Sequence, residues 1–384
     1  MDFELPEELS MLARELRKFV DREVIPIERE AYDGPEMKPE VRARLSNTTK
    51  AMGLWHFATP KEYGGQGLGM LARVVVWEQM GRTIAVPGRK AQIFGPDASP
   101  TLYLLNEEQK QEYLLPVIRG EKTECFAQTE ADAGGDPGRM RTTAVLEGDA
   151  YILSGGKRFI TSADTADFAQ VIAKTDSAKG PRGGMTAFLV DMNSPGVKVL
   201  RKEVTMMDDR PCDLAFDAVR VPAWKRIGAE GDGFKVAQTW INQGRIRHGA
   251  RALGVMERCL EMAAAYAKQR VTFGKPLADR QAIQWMLADS YMDLQALRLM
   301  VYRTAWRYDR GEDIRHDAYM TKMRGDSLSF TCADRCLQIH GGAGLTRDLP
   351  IEKFWRDQRS MMITEGPEEV LKSSLARRVL DIYG

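Results

Sequence analysis

A glutamate that closes an apolar run and stands just before Gly-Pro is placed to reach a pocket as a proton acceptor. In "MMITEGPEEV", Glu365 follows Met361, Met362 and Ile363 and precedes Gly366-Pro367. Such neighbours would desolvate the carboxyl and raise its pKa toward the range useful to a general base. The competing reading is an ordinary acid at a helix entry, because proline is favoured in a first helical turn.

Other segments carry residue types suited to holding a ligand. "CFAQTEADAGGD", Cys125 to Asp136, reads as a metal loop, an acidic turn or a cofactor seat. It lacks the closing glutamate and flanking helices of a calcium loop. As a seat it offers an extended edge, Phe126 to Thr129 with Gln128 between, and Gly134-Gly135 for close backbone approach. In "GGKRFITSAD", Phe159 beside Thr161 joins a flat apolar face to a hydroxyl, which suits an aromatic ring system; alone, such a Phe is also ordinary core. In "KQRVTFGKPLADRQAI", Arg270 with Thr272 forms a diphosphate clamp or, alternatively, a solvated helix-end arginine. In "QIHGGAGLTRDLPIEKFWRD", Gly341, Gly342 and Gly344 break a helix after Gln338, so the backbone there is free to abut a flat ring or a partner subunit.

The elements that position these segments follow from periodicity. The chain of 384 residues is long enough for two or three domains. Residues 1–121 read as helical: Leu9, Leu12, Leu16, Phe19 and Val20 share one face, Pro26 ends that helix, and further helical patterns follow at 38–52, 70–82 and 106–118. Residues 122–228 change to short β-branched and aromatic runs between Gly, Pro and Asp turns, with Glu147-Gly148-Asp149 as a hairpin connection. Residues 229–384 return to long helices. One stripe is Ile246, Ala250, Leu253, Met256, Leu260, Ala263 and Ala267. A second is Ile283, Leu287, Tyr291, Leu294, Leu297 (or Arg298), Val301 and Ala305. A third, rich in small residues, is Ala318, Thr321, Gly325, Leu328, Cys332, Cys336 and Ile339, and a last helix starts near Pro367. The expectation is an α+β chain: an N-terminal helical domain, a middle antiparallel β-barrel-like domain and a C-terminal four-helix bundle. No GxGxxG supports a Rossmann fold.

Composition removes other classes. With 55 basic against 54 acidic residues the net charge is +1, which gives no global attraction to nucleic acid or an anionic membrane. No apolar run approaches the about 18 residues of a membrane span, and the acidic start "MDFELPEELSML" is unlike a signal peptide, so a cytoplasmic protein is expected. Five scattered cysteines without a CxxC pair, and four histidines without an i,i+4 pair, argue against a zinc site; no metal is expected.

Taken in order, "FAQTEADAGGD", "GGKRFIT", "FDAVRVP", "RVTFGKPLADRQAI", "QIHGGAGLTRDLPIEKFWRD" and "TEGPEEV" resemble the acyl-CoA dehydrogenase family of flavoproteins over essentially the whole chain. The resemblance implies FAD, an acyl-CoA substrate, electron-transfer flavoprotein as electron acceptor and a homo-oligomer, usually a tetramer. It implies that Phe126, Gln128, Thr129, Gly134 and Gly135 contact the flavin and pyrophosphate, with Phe159 and Thr161 closing over the ring. Arg270, Thr272, Phe273, Gln281, Gln338, Gly341 and Gly342 would hold the adenine half, partly from a neighbouring subunit. Glu365 would abstract the α-proton while the β-hydrogen leaves as hydride to flavin N5, with Arg245 and Gly366 at the substrate. Some relatives carry the base at the position of Gly244, and here that position is glycine. This chain departs from the family pattern at Gly135, where serine is usual, at Phe159, where Trp or Tyr is usual, and at Pro367 and Glu369, usually Thr and Gln. "MMDDRPCD" replaces a Gly-rich segment, and the acid-Gly-Pro motif marks a branch with atypical substrates. The same fold in an oxygen-using oxidase or monooxygenase, or in a catalytically silent scaffold, is the alternative.

Overall fold

A computed structural model describes residues 4–34, 36–86 and 92–384. The chain divides into two compact units. One comprises the chain up to Ala58, Gln66–Ile93 and Asn242–Gly384, and the other Thr59–Gly65 and Phe94–Ile241.

The first unit is helical. Helices α1 (Glu7–Phe19), α2 (Pro39–Ala51) and α3 (Met70–Met80) come from the N-terminal part. Helix α4 (Gly233–Gln269) enters from the other unit, and α5 (Gln281–Asp309), α6 (Arg315–His340), α7 (Ile351–Met361) and α8 (Glu368–Tyr383) follow. Helix α7 adds to the expected four-helix bundle; it forms because Pro350 sits at its N-cap and Ile351 and Phe354 turn one buried face inward.

The expected stripes meet in one apolar cluster that includes Ile246, Leu253 and Met256 of α4, Leu294, Leu297 and Val301 of α5, and Cys332, Cys336 and Ile339 of α6. Tyr291 is the exception at 58 % exposed. The small Ser290 is buried instead and accepts a hydrogen bond from the Arg335 guanidinium at 3.0 Å, which turns Tyr291 outward. Asp309, at the end of α5, accepts from the Met70 and Leu71 amides at 2.6 and 2.9 Å and so caps α3 from a distant part of the chain.

Close approach of α4 and α6 rests on glycine. A Cβ on Gly325 would lie 2.9 Å from Gly249 Cα, and one on Gly249 would lie 2.3 Å from Thr321 Cγ2. Gly249→Val therefore overpacks this crossing and is expected to cost about 2–3 kcal/mol, read as a lowered denaturant midpoint at unchanged slope.

The second unit is built on a sheet of β1 (Glu124–Ala127), β2 (Thr143–Glu147), β3 (Ala150–Ile160), β4 (Phe168–Lys174), β5 (Met185–Asp191), β6 (Val197–Lys202), β7 (Cys212–Pro222) and β8 (Arg226–Ile227). The order is β8-β5-β4-β2-β3-β7-β6, with β1 also on β4. Gly148-Asp149 makes the β2–β3 turn with Gly148 at φ 64°, as expected from the sequence.

The sheet is not purely antiparallel. Strand β1 pairs with β4 in parallel, and β2 touches β4 in parallel at Thr143–Lys174. The β2–β3 hairpin lies between β1 and β4 in the chain, so β1 reaches β4 through a crossover rather than a tight turn. Strands β4 and β5 are buried almost throughout, and Val236 and Ala237 of the first turns of α4 join Phe168, Ile172 and Leu189 in one core.

Candidate active site

In the helical unit, Glu365 follows α7 in a loop that leads into α8. Its backbone is left-handed, at φ 54°, and Gly366 follows at φ 102°. A glutamate pays for that conformation, so the surroundings must hold it there. Two long cations do so. The Arg245 guanidinium donates to the Glu365 carbonyl at 3.1 Å, and Lys322 Nζ donates to the carbonyls of Gly366 and Met362 at 2.9 and 3.3 Å. The side chain, 12 % exposed, lies over Gly244: a Cβ at 244 would be 2.0 Å from Glu365 Oε2. Oε2 is buried without a hydrogen-bond partner, and the Glu365 amide has no acceptor among the described residues. A carboxylate with a vacant lone pair and an adjacent free N–H can take a proton from carbon and polarise a neighbouring carbonyl.

The charge state of Glu365 reverses the expectation from sequence. Burial by itself raises its pKa, but His248, then Arg247 and Arg245, outweigh burial and hold it at about 2. His248 Nε2 lies 3.7 Å from Glu365 Oε1, and Nδ1 lies 3.2 Å from Asp326 Oδ1. Burial strips a proton from an imidazole, yet Asp326 and Glu365 overcome it and raise His248 to about 9. Lys322 Nζ closes the chain on Asp326 Oδ2 at 3.0 Å.

Arg245, expected at the substrate, is used internally. It is buried, its guanidinium sits 4.6 Å from the Tyr319 ring centre, and Asn242 and the Glu365 carbonyl accept its hydrogens. A desolvated guanidinium needs those acceptors, so its place is behind the loop. Gly366 is likewise a turn residue: besides its positive φ, a Cβ there would lie 3.0 Å from Arg245 Nη2.

The remaining predicted residues of this unit lie at the far ends of α4 and α6. Val271-Thr272 pairs with Lys275-Pro276 in a small hairpin whose tip, Phe273 at φ 47° and Gly274 at φ 77°, leaves the Phe273 ring 98 % exposed. Arg280, not singled out from sequence, closes it by donating to the Thr272 carbonyl at 2.6 Å. The Arg270 guanidinium has no ion-pair partner among the described residues. Gln281 is exposed at the first turn of α5. Gln338, Gly341 and Gly342 are exposed at the end of α6, and the His340 ring stacks on Tyr266 of α4 at 4.4 Å, which brings that end beside the end of α4.

In the sheet unit, the Thr129 carbonyl accepts the Arg158 amide at 2.8 Å and the Gln128 carbonyl accepts Lys157 Nζ at 3.0 Å. These bonds lay the Phe126–Thr129 edge beside Phe159. Phe159 is left-handed at φ 58° and 52 % exposed, and Thr161 is exposed two residues on. The Phe126 ring stacks on Trp240, with centroids 4.7 Å apart and planes 9° apart. The acids of the segment from Cys125 to Asp136 shape it: buried Glu130 accepts from the Arg141 and Thr142 amides and pairs with buried Lys157 at 2.8 Å, and Asp136 accepts from the Gly138 amide. A Cβ on Gly134 would meet nothing within 4 Å.

Family models match three consecutive segments: acyl-CoA dehydrogenase N-terminal domain at residues 6–121, middle domain at 125–219 and C-terminal domain at 231–380. The chain belongs to the acyl-CoA dehydrogenase family. Among its relatives, a 3-(aryl)acrylate reductase of Clostridium sporogenes is 37 % identical over 97 % of this chain and 99 % of its own length. The short-chain specific acyl-CoA dehydrogenase of Clostridium acetobutylicum is 33 % identical over 99 % of this chain and its full length. The solved FAD complex of PigA superposes with a TM-score of 0.88, at 26 % identity, over 99 % of both chains.

For this acyl-CoA dehydrogenase the implied cofactor is FAD, and the residues present fit it. Phe159 presents a flat face held in a strained backbone, the Thr129 hydroxyl has no partner among the described residues, the space before Gly134 is open, and Arg270 offers an unpaired fork for a diphosphate. What sequence reading missed are His248, Lys322 and Asp326. Their signal was four-residue spacing: Gly244 to His248 on α4 and Lys322 to Asp326 on α6.

Proposed function

We propose that this chain catalyses FAD-dependent α,β-dehydrogenation of an acyl-CoA thioester to the trans-2-enoyl-CoA, with Glu365 as the base. The observation that carries the assignment of the base is the buried, partnerless Oε2 of a carboxylate pinned over Gly244. Glu365 Oε2 takes the α-proton. The Glu365 amide, which has no acceptor among the described residues, is placed to donate to the thioester oxygen and hold the charge that develops there. Arg245 and Lys322 fix the loop so that both groups face one way. Bound FAD supplies the acceptor for the β-hydrogen, which leaves as hydride.

Phe126, Gln128, Thr129, Gly134, Gly135, Phe159 and Thr161 would hold the ring and pyrophosphate. Arg270, Thr272, Phe273, Gln281, Gln338, Gly341 and Gly342 would hold the adenine half, in part on a neighbouring subunit. That arrangement calls for a homo-oligomer. Trp285, Met292, Leu299 and Trp306 recur every seven residues on α5 and are all exposed, which supports a second copy on that face. Electron-transfer flavoprotein in the cytoplasm is the acceptor that this reading requires. Among the described residues no helix is long and apolar enough to cross a membrane.

Anaerobic addition of a panel of saturated acyl-CoAs to the FAD-loaded protein tests the reaction: one of them bleaches the flavin band. A yellow protein that no thioester bleaches would overturn it, and rapid reoxidation in air would shift the reading to an oxygen-using enzyme. Arg270→Ala is expected to weaken FAD binding by roughly 10- to 100-fold, the worth of a charge-assisted phosphate contact. Fluorescence titration of the apoprotein with FAD measures it.

A further inference from the structure

Around Glu365 four ionisable groups alternate in sign. Glu365 faces His248 at 3.7 Å, His248 faces Asp326 at 3.2 Å, and Asp326 faces Lys322 at 3.0 Å. His248, Asp326 and Lys322 are all buried. A buried ion is tolerated only with a partner of opposite charge, so none of the four stands without the next. Two helices and one loop supply them: Gly244 and His248 stack on α4, Lys322 and Asp326 stack on α6, and Glu365 drops onto them from the loop after α7. Lys322 also holds the carbonyls of Met362 and Gly366, on both sides of Glu365, so the same ammonium anchors the far end of the ion chain and the loop that carries its near end.

We propose that His248 is a positioning residue for the dehydrogenation base: clamped by Asp326 and Lys322, it holds the Glu365 carboxylate ionised and seated over Gly244. The proposal rests on the reading of Glu365 as that base. An apolar pocket would otherwise push the carboxyl toward its neutral form, which cannot accept a proton. An imidazolium beside it removes that penalty, and Asp326 keeps the imidazole charged in turn. The other charges facing the pair are Arg245 and Arg247 on α4, with Tyr319 of α6 against the Arg245 guanidinium; from α7, Asp357 reaches the cluster through Arg251. Arg245 and Arg247 favour the same charge state of Glu365 and are weaker than His248.

His248→Gln in the FAD-loaded enzyme tests this, with kcat/KM followed from pH 5 to 9 against the wild type. The wild type has no acid limb from Glu365 in that range. The variant gains one, so that its rate at pH 5.5, relative to pH 8, falls at least about 10-fold below the wild-type ratio. Histidine Cε1 resonances give an independent reading, since the chain has only four histidines. One of them, absent from the variant, stays in the imidazolium position until the pH approaches about 9. A pH profile that overlays the wild type, with flavin spectrum and melting temperature retained, overturns the proposal; so does a wild-type His248 resonance that titrates near 6.5. Should the glutamine variant fail to fold, the wild-type resonance decides alone. A Glu365→Gln enzyme that still turns over would refute the base assignment, and the histidine titration separates that failure from failure of the proposal.

Discussion

Glu365→Gln is expected to give a folded, yellow protein whose flavin is reduced by its best acyl-CoA about 10⁴-fold more slowly than wild type. The amide has nearly the shape of the carboxylate and keeps an oxygen for the His248 side, so the loop held by Arg245 and Lys322 has no reason to move. What it lacks is a lone pair basic enough to take a proton from carbon, and general-base catalysis by a placed side chain is worth about 10² to 10⁴. The upper end applies because the nearest titratable neighbour among the described residues, His248, is itself held as an imidazolium by Asp326 at 3.2 Å and has no lone pair to offer. Anaerobic stopped-flow reduction measures the loss, and an unchanged far-UV spectrum and FAD content show that it is chemical. A loss under tenfold would move the base elsewhere.

The fold was legible because its elements repeat at the periods that helices and strands impose. The three helical stripes and the hairpin at Gly148 read directly from spacing, since burying a stripe is a requirement on the sequence itself. What did not read is what depends on partners far along the chain. The parallel pairing of β1 with β4 follows from a hairpin inserted between them, and no local pattern records it. Helix α7 is short and amphipathic, inside a segment dominated by the signal of its glycines. At the site, Glu365 was legible from its apolar approach and the Gly-Pro after it, but its charge state was not. The apolar residues that argue for a raised pKa are in the sequence next to it, whereas the imidazolium that lowers it stands 117 positions earlier, on α4. The partners that hold Arg245 were hidden for the same reason: Tyr319 and the Glu365 carbonyl both stand far along the chain from it.

Gly244→Ala sets activity and stability against each other, lowering the one while holding or raising the other. The added methyl would lie 2.0 Å from Glu365 Oε2 and 2.5 Å from its Cδ, so the carboxylate must swing off its seat. Only the far end of one side chain has to move, unlike the crossing at Gly249, where a Cβ also meets the Thr321 backbone oxygen at 3.1 Å. The helix itself gains, because alanine replaces glycine in the interior of α4, a change worth up to about 1 kcal/mol. The melting temperature is therefore expected to hold or rise, while displacement of the base by about an ångström or more costs roughly 10² in the rate of flavin reduction. Moving the carboxylate also lengthens its pairing with His248, so the acid limb predicted for His248→Gln should begin to appear in Gly244→Ala, at unchanged FAD affinity. A variant with wild-type rate would mean that the productive position of Glu365 is not the one over Gly244; a variant with a lowered melting temperature would mean that its side chain cannot yield and that the seat is rigid.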